Sequence, residues 1–424
     1  MKTHTPSAGG IQPAGPGSAE AAAQALQHAC ELQRNGLYAE AEGEYERLLA
    51  AFPDASPLHY NLGLMLYAQQ RYGESLEHYL QAMDGAGDDP DLLYNLGLCL
   101  KKCGRTADSA MVYEEMLRLA PRDVDGLYSL AGCLRELHDY QRAEAVLGRL
   151  LALKPDHRPA AGSLAYLLHL QGRLAESCAA YLRLLELDPE NRTARHMVAA
   201  LRGDRLATAA DDYVRSVFNG YADGFEASLV QDLGYRVPAE LRRGVDLFAG
   251  RGRRYAHLLD LGCGTGLVGT AFADICACLT GVDIAEEMIA RSREKGIYDH
   301  LAVSGIMPFL VAAESRYDLV TLADVLIYLG DPEPVLAAIQ AVTTDDAVLC
   351  FSIEVAGTAT YRLQPTGRFA HSPGHIAGIA GRTGWTVCRS EPIRLRREGD
   401  GWIGGMLFFL LKAGSGQPVM GPLP

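Results

Sequence analysis

The sequence predicts a multidomain chain of two fold classes, an all-α repeat array followed by an α/β domain with helices on both faces of a mostly parallel sheet. Three observations predict it. A period of 34 residues runs through the first half, as in Leu32, Leu66, Leu100, Leu134 and Leu168. After Leu206 that period stops, and apolar strands alternate with amphipathic helices. One of those strands runs directly into the glycine-rich turn Gly262-Cys263-Gly264-Thr265-Gly266.

With 424 residues and 48% hydrophobic composition, the chain is long enough for two or three domains with sizeable cores. No stretch approaches the roughly 18 to 20 apolar residues that span a bilayer, and the first twenty residues lack the apolar run of a secretory signal. A cytoplasmic location is the resulting expectation. The net charge of -13 disfavours a nucleic-acid partner, because affinity for phosphate backbones rests on lysine and arginine. The one basic run, Arg394, Arg396 and Arg397, reads as a solvated strand edge. Ten cysteines are scattered: Cys99, Cys103, Cys133 and Cys178 fall at apolar helical positions, and Cys276 and Cys278 alternate along a strand. No second cysteine or histidine pair stands at zinc-site spacing, so no structural metal is expected.

In the first half, small residues recur as Ala29, Gly63, Gly97, Ala131 and Ala165, and large ones as Tyr45, Tyr79, Tyr113, Leu147 and Tyr181. A second small series runs Ala41, Ser75, Ser109, Ala143 and Ser177, and Pro53, Pro121, Pro155 and Pro189 end the units, with Pro90 displaced from the lattice. Small residues let paired helices approach, and large ones fill the space between pairs. The pattern resembles the tetratricopeptide repeat over five units spanning residues 22–189. Residues 1–20 are expected to be disordered and 190–206 to form a capping helix. The resemblance implies a superhelix whose concave groove is lined by Tyr60, Asn61, Tyr94, Asn95 and Tyr128, placed to hold an extended peptide of a protein partner. The same residues serve equally for stacking the repeats or docking the array within the chain.

In the second half, a strand over His257–Leu261 precedes the glycine turn, and a helix follows to about Asp274. A second strand, Cys278–Val282, ends at Asp283, and a helix spans Ala285–Lys295. Glycine is needed where a side chain would keep the backbone from a bound nucleotide, and the following helix offers free N–H groups. Asp283, at a strand end, is placed to accept both hydroxyls of a ribose. A dinucleotide-binding turn would put its third glycine at position 267, which is Leu267 here. The GxGxG spacing instead resembles the first motif of class I S-adenosylmethionine-dependent methyltransferases. Phe218-Asn219-Gly220-Tyr221, Tyr235-Arg236-Val237-Pro238 and Gly367 to Pro373 are similar to segments of bacterial methyltransferases that themselves carry tetratricopeptide repeats.

That resemblance implies a Rossmann-like domain over residues 207–414, with a mostly parallel seven-stranded sheet, and a flexible tail over 415–424. It implies S-adenosyl-L-methionine as cofactor, held by Asp260, Gly262, Cys263, Gly264, Gly266, Asp283, Ile284, Met288, Ser304, Ala323 and Arg236. Tyr317–Tyr328 resembles the fourth strand and the loop at the methyl-transfer site, Ala347–Glu354 the fifth strand, and Trp385–Pro392 with Trp402–Lys412 the closing antiparallel pair. Many members place an acidic residue after the third strand to meet adenine, where this chain has Val303-Ser304-Gly305. Asp324, His371 and Tyr221 are the principal catalytic candidates, beside Glu354 and Tyr328. Asp324 either contacts the acceptor or caps a helix, and His371 either takes a proton or braces a loop. Phe218–Pro238, rich in aromatics, reads as a lid or as a static packing element. An unidentified protein or small molecule is the expected acceptor, and a catalytically silent adaptor is the alternative.

Overall fold

The computed structural model describes residues 16–86, 88–209, 211–219, 226, 229–230, 233–357, 359–398 and 401–413. The chain divides into two compact units, Met1–Leu187 and Asp188–Pro424.

The first unit is a succession of helical hairpins: α1 (Pro16–Arg34) with α2 (Tyr38–Ala51), α3 (Ser56–Ala68) with α4 (Tyr72–Ala86), α5 (Pro90–Lys102) with α6 (Thr106–Leu119), α7 (Val124–Glu136) with α8 (Tyr140–Leu153), and α9 (Arg158–Leu170) with α10 (Leu174–Leu187). Helix α1 begins at Pro16, inside the segment expected to be disordered. The sequence lattice has direct physical meanings. Ser75, Ser109 and Ser177 hydroxyls donate to the carbonyls of Gly63, Gly97 and Ala165 at 2.7, 2.7 and 2.8 Å, tying each hairpin shut. A Cβ at Gly97 would lie 2.7 Å from the Tyr113 ring and one at Gly63 3.0 Å from Tyr79, so glycine there makes room for the tyrosine. A further series went unread: Gly36, Gln70, Gly104, His138 and Gly172 all take positive φ. Each ends an inner helix in a left-handed turn, and the next residue's N–H reaches back to Leu32, Leu66, Leu100, Leu134 or Leu168. Gln70 and His138 hid the series because they occupy a glycine position without being glycine.

The second unit begins at Asp188 rather than at residue 207. Helix α11 (Arg192–Arg202), expected as a cap of the repeats, belongs to it: His196 Nε2 donates to the Gly367 carbonyl at 2.8 Å, and its ring lies 4.2 Å from that of Tyr213 in α12 (Asp211–Asn219). The sheet order is β3-β2-β1-β4-β5-β9-β8, with β1 (Tyr255–Leu261), β2 (Cys276–Asp283), β3 (His300–Val303), β4 (Tyr317–Leu322) and β5 (Thr343–Glu354) parallel. Strand β9 (Gly401–Lys412) runs antiparallel to β5 and to β8 (Trp385–Glu398). Helices α13 (Val237–Ala249), α14 (Leu267–Phe272), α15 (Glu286–Glu294), α16 (Ile306–Ala312), α17 (Glu333–Ala341) and α18 (Pro373–Arg382) accompany the strands, and β6 (Tyr361–Leu363) pairs with β7 (Phe369–His371) in a separate ribbon.

Both faces of the sheet are covered. Along β5, Leu349, Phe351 and Ile353 enter one apolar core while Val348 and Cys350 enter the other; along β9, Phe408 and Leu410 alternate with Leu407, Phe409 and Leu411. Double coverage explains why these strands read as continuous apolar runs. The strand order reverses between β1 and β4, and a crevice opens at the carboxyl ends of strands on either side of such a reversal. The glycine turn and the loop after β4 both lie at that place.

Candidate functional site

The turn after β1 is shaped by three left-handed glycines, Gly262, Gly264 and Gly266, with φ of 74°, 53° and 88°. Their surroundings differ. A Cβ on Gly262 would strike Val325, and one on Gly266 would lie 3.0 Å from Ser292 Oγ; at Gly264 nothing lies within 4 Å. The turn is therefore packed at its ends and open in the middle. Gly262 and Cys263 N–H groups donate to the Val282 carbonyl at 2.7 and 3.0 Å, and Ser292 Oγ donates to the Gly264 carbonyl at 2.9 Å.

Asp283, at the end of β2, is brought against this turn. Its Oδ2 accepts the Gly264 N–H at 2.9 Å and its Oδ1 the Ala285 N–H at 2.8 Å. Burial raises its pKa, while those N–H groups oppose the rise. Each oxygen keeps a lone pair for a ligand hydroxyl. Ile284 is half-buried beside it, and Ser304, whose N–H donates to the Asp283 carbonyl at 2.9 Å, gives its hydroxyl to Gly305 O at 3.0 Å. Ala323 follows β4 and is half-buried.

Of the other expected donor contacts, Asp260, Met288 and the Cys263 side chain are buried, whereas Arg236 is exposed. Asp260 is wholly buried, and Tyr298 and Thr321 hydroxyls donate to its two oxygens at 2.6 and 2.8 Å. Met288 is fully buried and the Cys263 side chain nearly so, which leaves only the Cys263 backbone for the site. Arg236 is exposed just before α13. Tyr221 and about half of the Phe218–Pro238 segment lie outside the described residues; within it, the Phe218 ring lies 5.7 Å from Tyr328, and Glu226 pairs with Lys295 at 2.7 Å.

Across the crevice, the loop after β4 carries Asp324 at φ 56°, strained for a residue other than glycine. Its N–H donates to Ser352 Oγ at 2.8 Å, and that hydroxyl donates to Asp324 Oδ1 at 2.9 Å. Asp324 caps no helix: the 3-10 turn Leu326–Tyr328 that follows has no side-chain cap. Its Oδ2 instead accepts from Arg396 Nη1 at 2.6 Å. Arg396 is 7% exposed and also pairs with Glu354, which is 2% exposed and bonded to Arg368 and Gln364. Burial works against the charge of Arg396, but Asp324 and Glu354 more than offset it, and the guanidinium pKa is raised.

The expectation of a solvated basic edge thus fails for Arg396. The β8–β9 register slips between Arg394 and Arg397, so Leu395 and Arg396 are both buried where strict alternation would expose one. An arginine inside an otherwise alternating strand was the only available signal. His371 is wholly buried, its Nε2 donating to the Leu326 carbonyl at 3.1 Å, and burial lowers its pKa; it braces the loop after β4 and does not face the crevice. Glu354 is likewise consumed in ion pairs.

In the repeats, Tyr60, Asn61 and Asn95 are buried. Asn95 Nδ2 donates to the Tyr60 hydroxyl at 2.9 Å, which ties two repeats together, and Asn61 Nδ2 donates to the Pro57 carbonyl at 2.7 Å within its own helix. Tyr94 is half-buried. Tyr128, 38% exposed, lines a cavity of about 200 Å³ with Lys101, Arg135 and Ser163.

Residues 26–90 and 134–192 match one family model described as a tetratricopeptide repeat, residues 90–123 match a second, and residues 259–351 match a model described as a methyltransferase domain. The ubiquinone biosynthesis O-methyltransferase of Bordetella avium (strain 197N) is 30% identical over 106 residues, covering 24% of this chain and 43% of that protein. Its counterpart from Coxiella burnetii (strain Dugway 5J108-111) is 29% identical over 99 residues, covering 23% and 42%. The chain thus spans less than half the length of these curated relatives. Among solved structures, the magnesium protoporphyrin IX methyltransferase of Synechocystis PCC 6803 with bound SAH is 17% identical, with 48% of this chain and 99% of that one covered and a TM-score of 0.37. YrrB, a TPR protein with an unusual peptide-binding site, is 17% identical, with 41% and 89% covered and a TM-score of 0.39.

Proposed function

Since the chain joins tetratricopeptide repeats to a class I methyltransferase domain, whose methyl donor is S-adenosylmethionine, we propose that it transfers a methyl group to a protein or small-molecule acceptor selected with the help of the repeats. The observation that carries the reading is the pairing of an open, left-handed Gly264 with the Asp283 carboxylate 2.9 Å from its N–H. The residues fit the donor on two grounds. The space beside Gly264 admits a ligand that any Cβ would block, and Asp283 has lone pairs to spare for two ribose hydroxyls. Gly262, Gly266 and the Cys263 backbone shape the cradle, Ile284 and Ser304 flank it, and Ala323 closes the side toward the acceptor.

When bound, the donor supplies an activated methyl carbon on a sulfonium. The protein's share is to exclude water and to hold the acceptor's lone pair in line with that carbon, which accounts for much of the acceleration in such displacements. In this reading Asp324 is the acceptor-side residue. Fixed by Ser352 and Arg396, its carboxylate orients a hydroxyl or amine by accepting its hydrogen bond; the strained backbone at this position fits a site that holds one geometry. Arg396 acts through Asp324.

The test has two steps. Calorimetry should find one equivalent of S-adenosylhomocysteine bound per chain. Methyl label from S-adenosylmethionine should then enter an acceptor in cell extract, and Asp324→Asn should abolish that transfer while leaving donor affinity within about threefold. Equal transfer by the variant would remove Asp324 from the acceptor side.

A further inference from the structure

Tyr298 stands between α15 and β3 and reaches back beneath the glycine turn. Its hydroxyl donates to Asp260 Oδ2 at 2.6 Å and accepts the Gly269 N–H at 3.0 Å. It therefore joins the end of β1 to the first turn of α14, the two stems between which Gly262–Gly266 is strung. Its ring occupies space left by glycines on three elements. A Cβ would lie 2.5 Å from it at Gly269, 3.0 Å at Gly281 and 3.1 Å at Gly266. Neither Gly269 nor Gly281 has a positive φ; the close approach of this ring is what requires glycine at Gly269, and at Gly281 the ring crowds the position together with Leu301 and Cys263.

Asp260 gives the contact its significance. It is wholly buried, and among the described residues no cation pairs with it. Among the described residues its oxygens accept the Tyr298 and Thr321 hydroxyls alone, and the titratable groups facing it are Asp283, Cys263, Tyr235 and Cys350. A buried carboxylate without a countercharge is costly and depends on its hydrogen bonds.

Resting on the donor reading above, we propose that Tyr298 is a positioning residue for the methyl donor: by bridging Asp260 and the Gly269 N–H, it clamps both stems of the glycine turn in the curve that holds the donor. The clamp carries a pH signature. Burial pushes Asp260 up to about 6, opposed by the Tyr298 and Thr321 hydrogen bonds and reinforced by Asp283. The ionised carboxylate accepts both hydroxyls, so donor affinity is full well above pH 6 and falls as pH drops through about 6. Losing the Tyr298 hydroxyl removes an interaction that favours the carboxylate, so the fall moves to higher pH.

The experiment is calorimetry of the full chain with S-adenosylhomocysteine between about pH 5 and about pH 8. Tyr298→Phe keeps the ring that fills the space and removes only the hydroxyl. It should bind about tenfold more weakly at neutral pH, with its acid-side fall displaced upward. Thr321→Val, which loses the other bond to Asp260 but keeps the Gly269 link, should share the displacement with a smaller loss at neutral pH. In the wild type, the Gly269 amide should gain hydrogen-exchange protection on adding S-adenosylhomocysteine. Wild-type affinity and pH profile in Tyr298→Phe, or unchanged exchange at Gly269, would overturn the clamp. No binding by the wild type would instead overturn the donor reading.

Discussion

The two sides of the crevice are built in opposite ways. The side proposed for the donor is almost entirely backbone: three left-handed glycines, the N–H groups of Gly264 and Ala285, and one carboxylate drawn against them over 19 residues of chain. The side proposed for the acceptor is almost entirely side chain, an ion network that gathers Asp324, Glu354, Arg368 and Arg396 from four separate segments. A site made of local backbone needs particular residues at fixed spacing. A site made of convergent side chains needs only the fold, and its members stand anywhere in the sequence.

The comparison breaks first at Arg396. Arg396→Met leaves Asp324 without its ion pair and the buried Glu354 with Arg368 and Gln364 alone, and should lower the stability of the second unit by about 3 kcal/mol. Urea unfolding followed by tryptophan fluorescence reads this unit alone, since the chain's two tryptophans, Trp385 and Trp402, lie on β8 and β9. A loss below about 1 kcal/mol, the scale of an exposed pair, would show that the network does not anchor the acceptor side.

On the donor side, Gly264→Val places a branched side chain in the open middle of the turn and in a left-handed conformation. Affinity for S-adenosylhomocysteine should fall about a hundredfold, or about 2.7 kcal/mol. Retained binding would mean that the ligand does not approach at Gly264.

This asymmetry also marks what was legible in the sequence. The period located every hairpin of the repeats, and the glycine turn with Asp283 located the crevice, because both are local. The resemblance implied Asp260 and Met288 as donor contacts, yet whether a side chain is buried depends on what packs above it. Arg396 was taken for a solvated edge because a register slip, which no alternation pattern reports, turns it inward. Tyr298 was missed because its partners, Asp260 and Gly269, meet it only through the fold. The burial of Asn95 was hidden for a related reason: it points at Tyr60 across 35 residues, in the repeat before it.

A smaller effect sharpens that last point. Asn95→Ala removes the bond between two buried side chains, Asn95 Nδ2 and the Tyr60 hydroxyl, and should cost the repeats about 1 kcal/mol, measured by melting of helical circular dichroism. Donor affinity should stay within about twofold. The smallest effect expected is that of removing the first unit: residues 188–424 should bind S-adenosylhomocysteine within about twofold of the full chain, whereas residues 207–424, which lack α11 and its His196 bond to Gly367, should melt lower. Equal melting of the two fragments would return the boundary to residue 207.

The central claim is that Asp283 and the glycine turn hold the methyl donor, and its most direct test is titration of S-adenosylhomocysteine into the wild-type chain and into Asp283→Ala. The account predicts one equivalent bound by the wild type and a loss of about 1.5–3 kcal/mol in the variant, roughly 10- to 150-fold in affinity, as expected for hydrogen bonds to a charged group. Equal affinity in the two proteins, or no binding by the wild type, would contradict it.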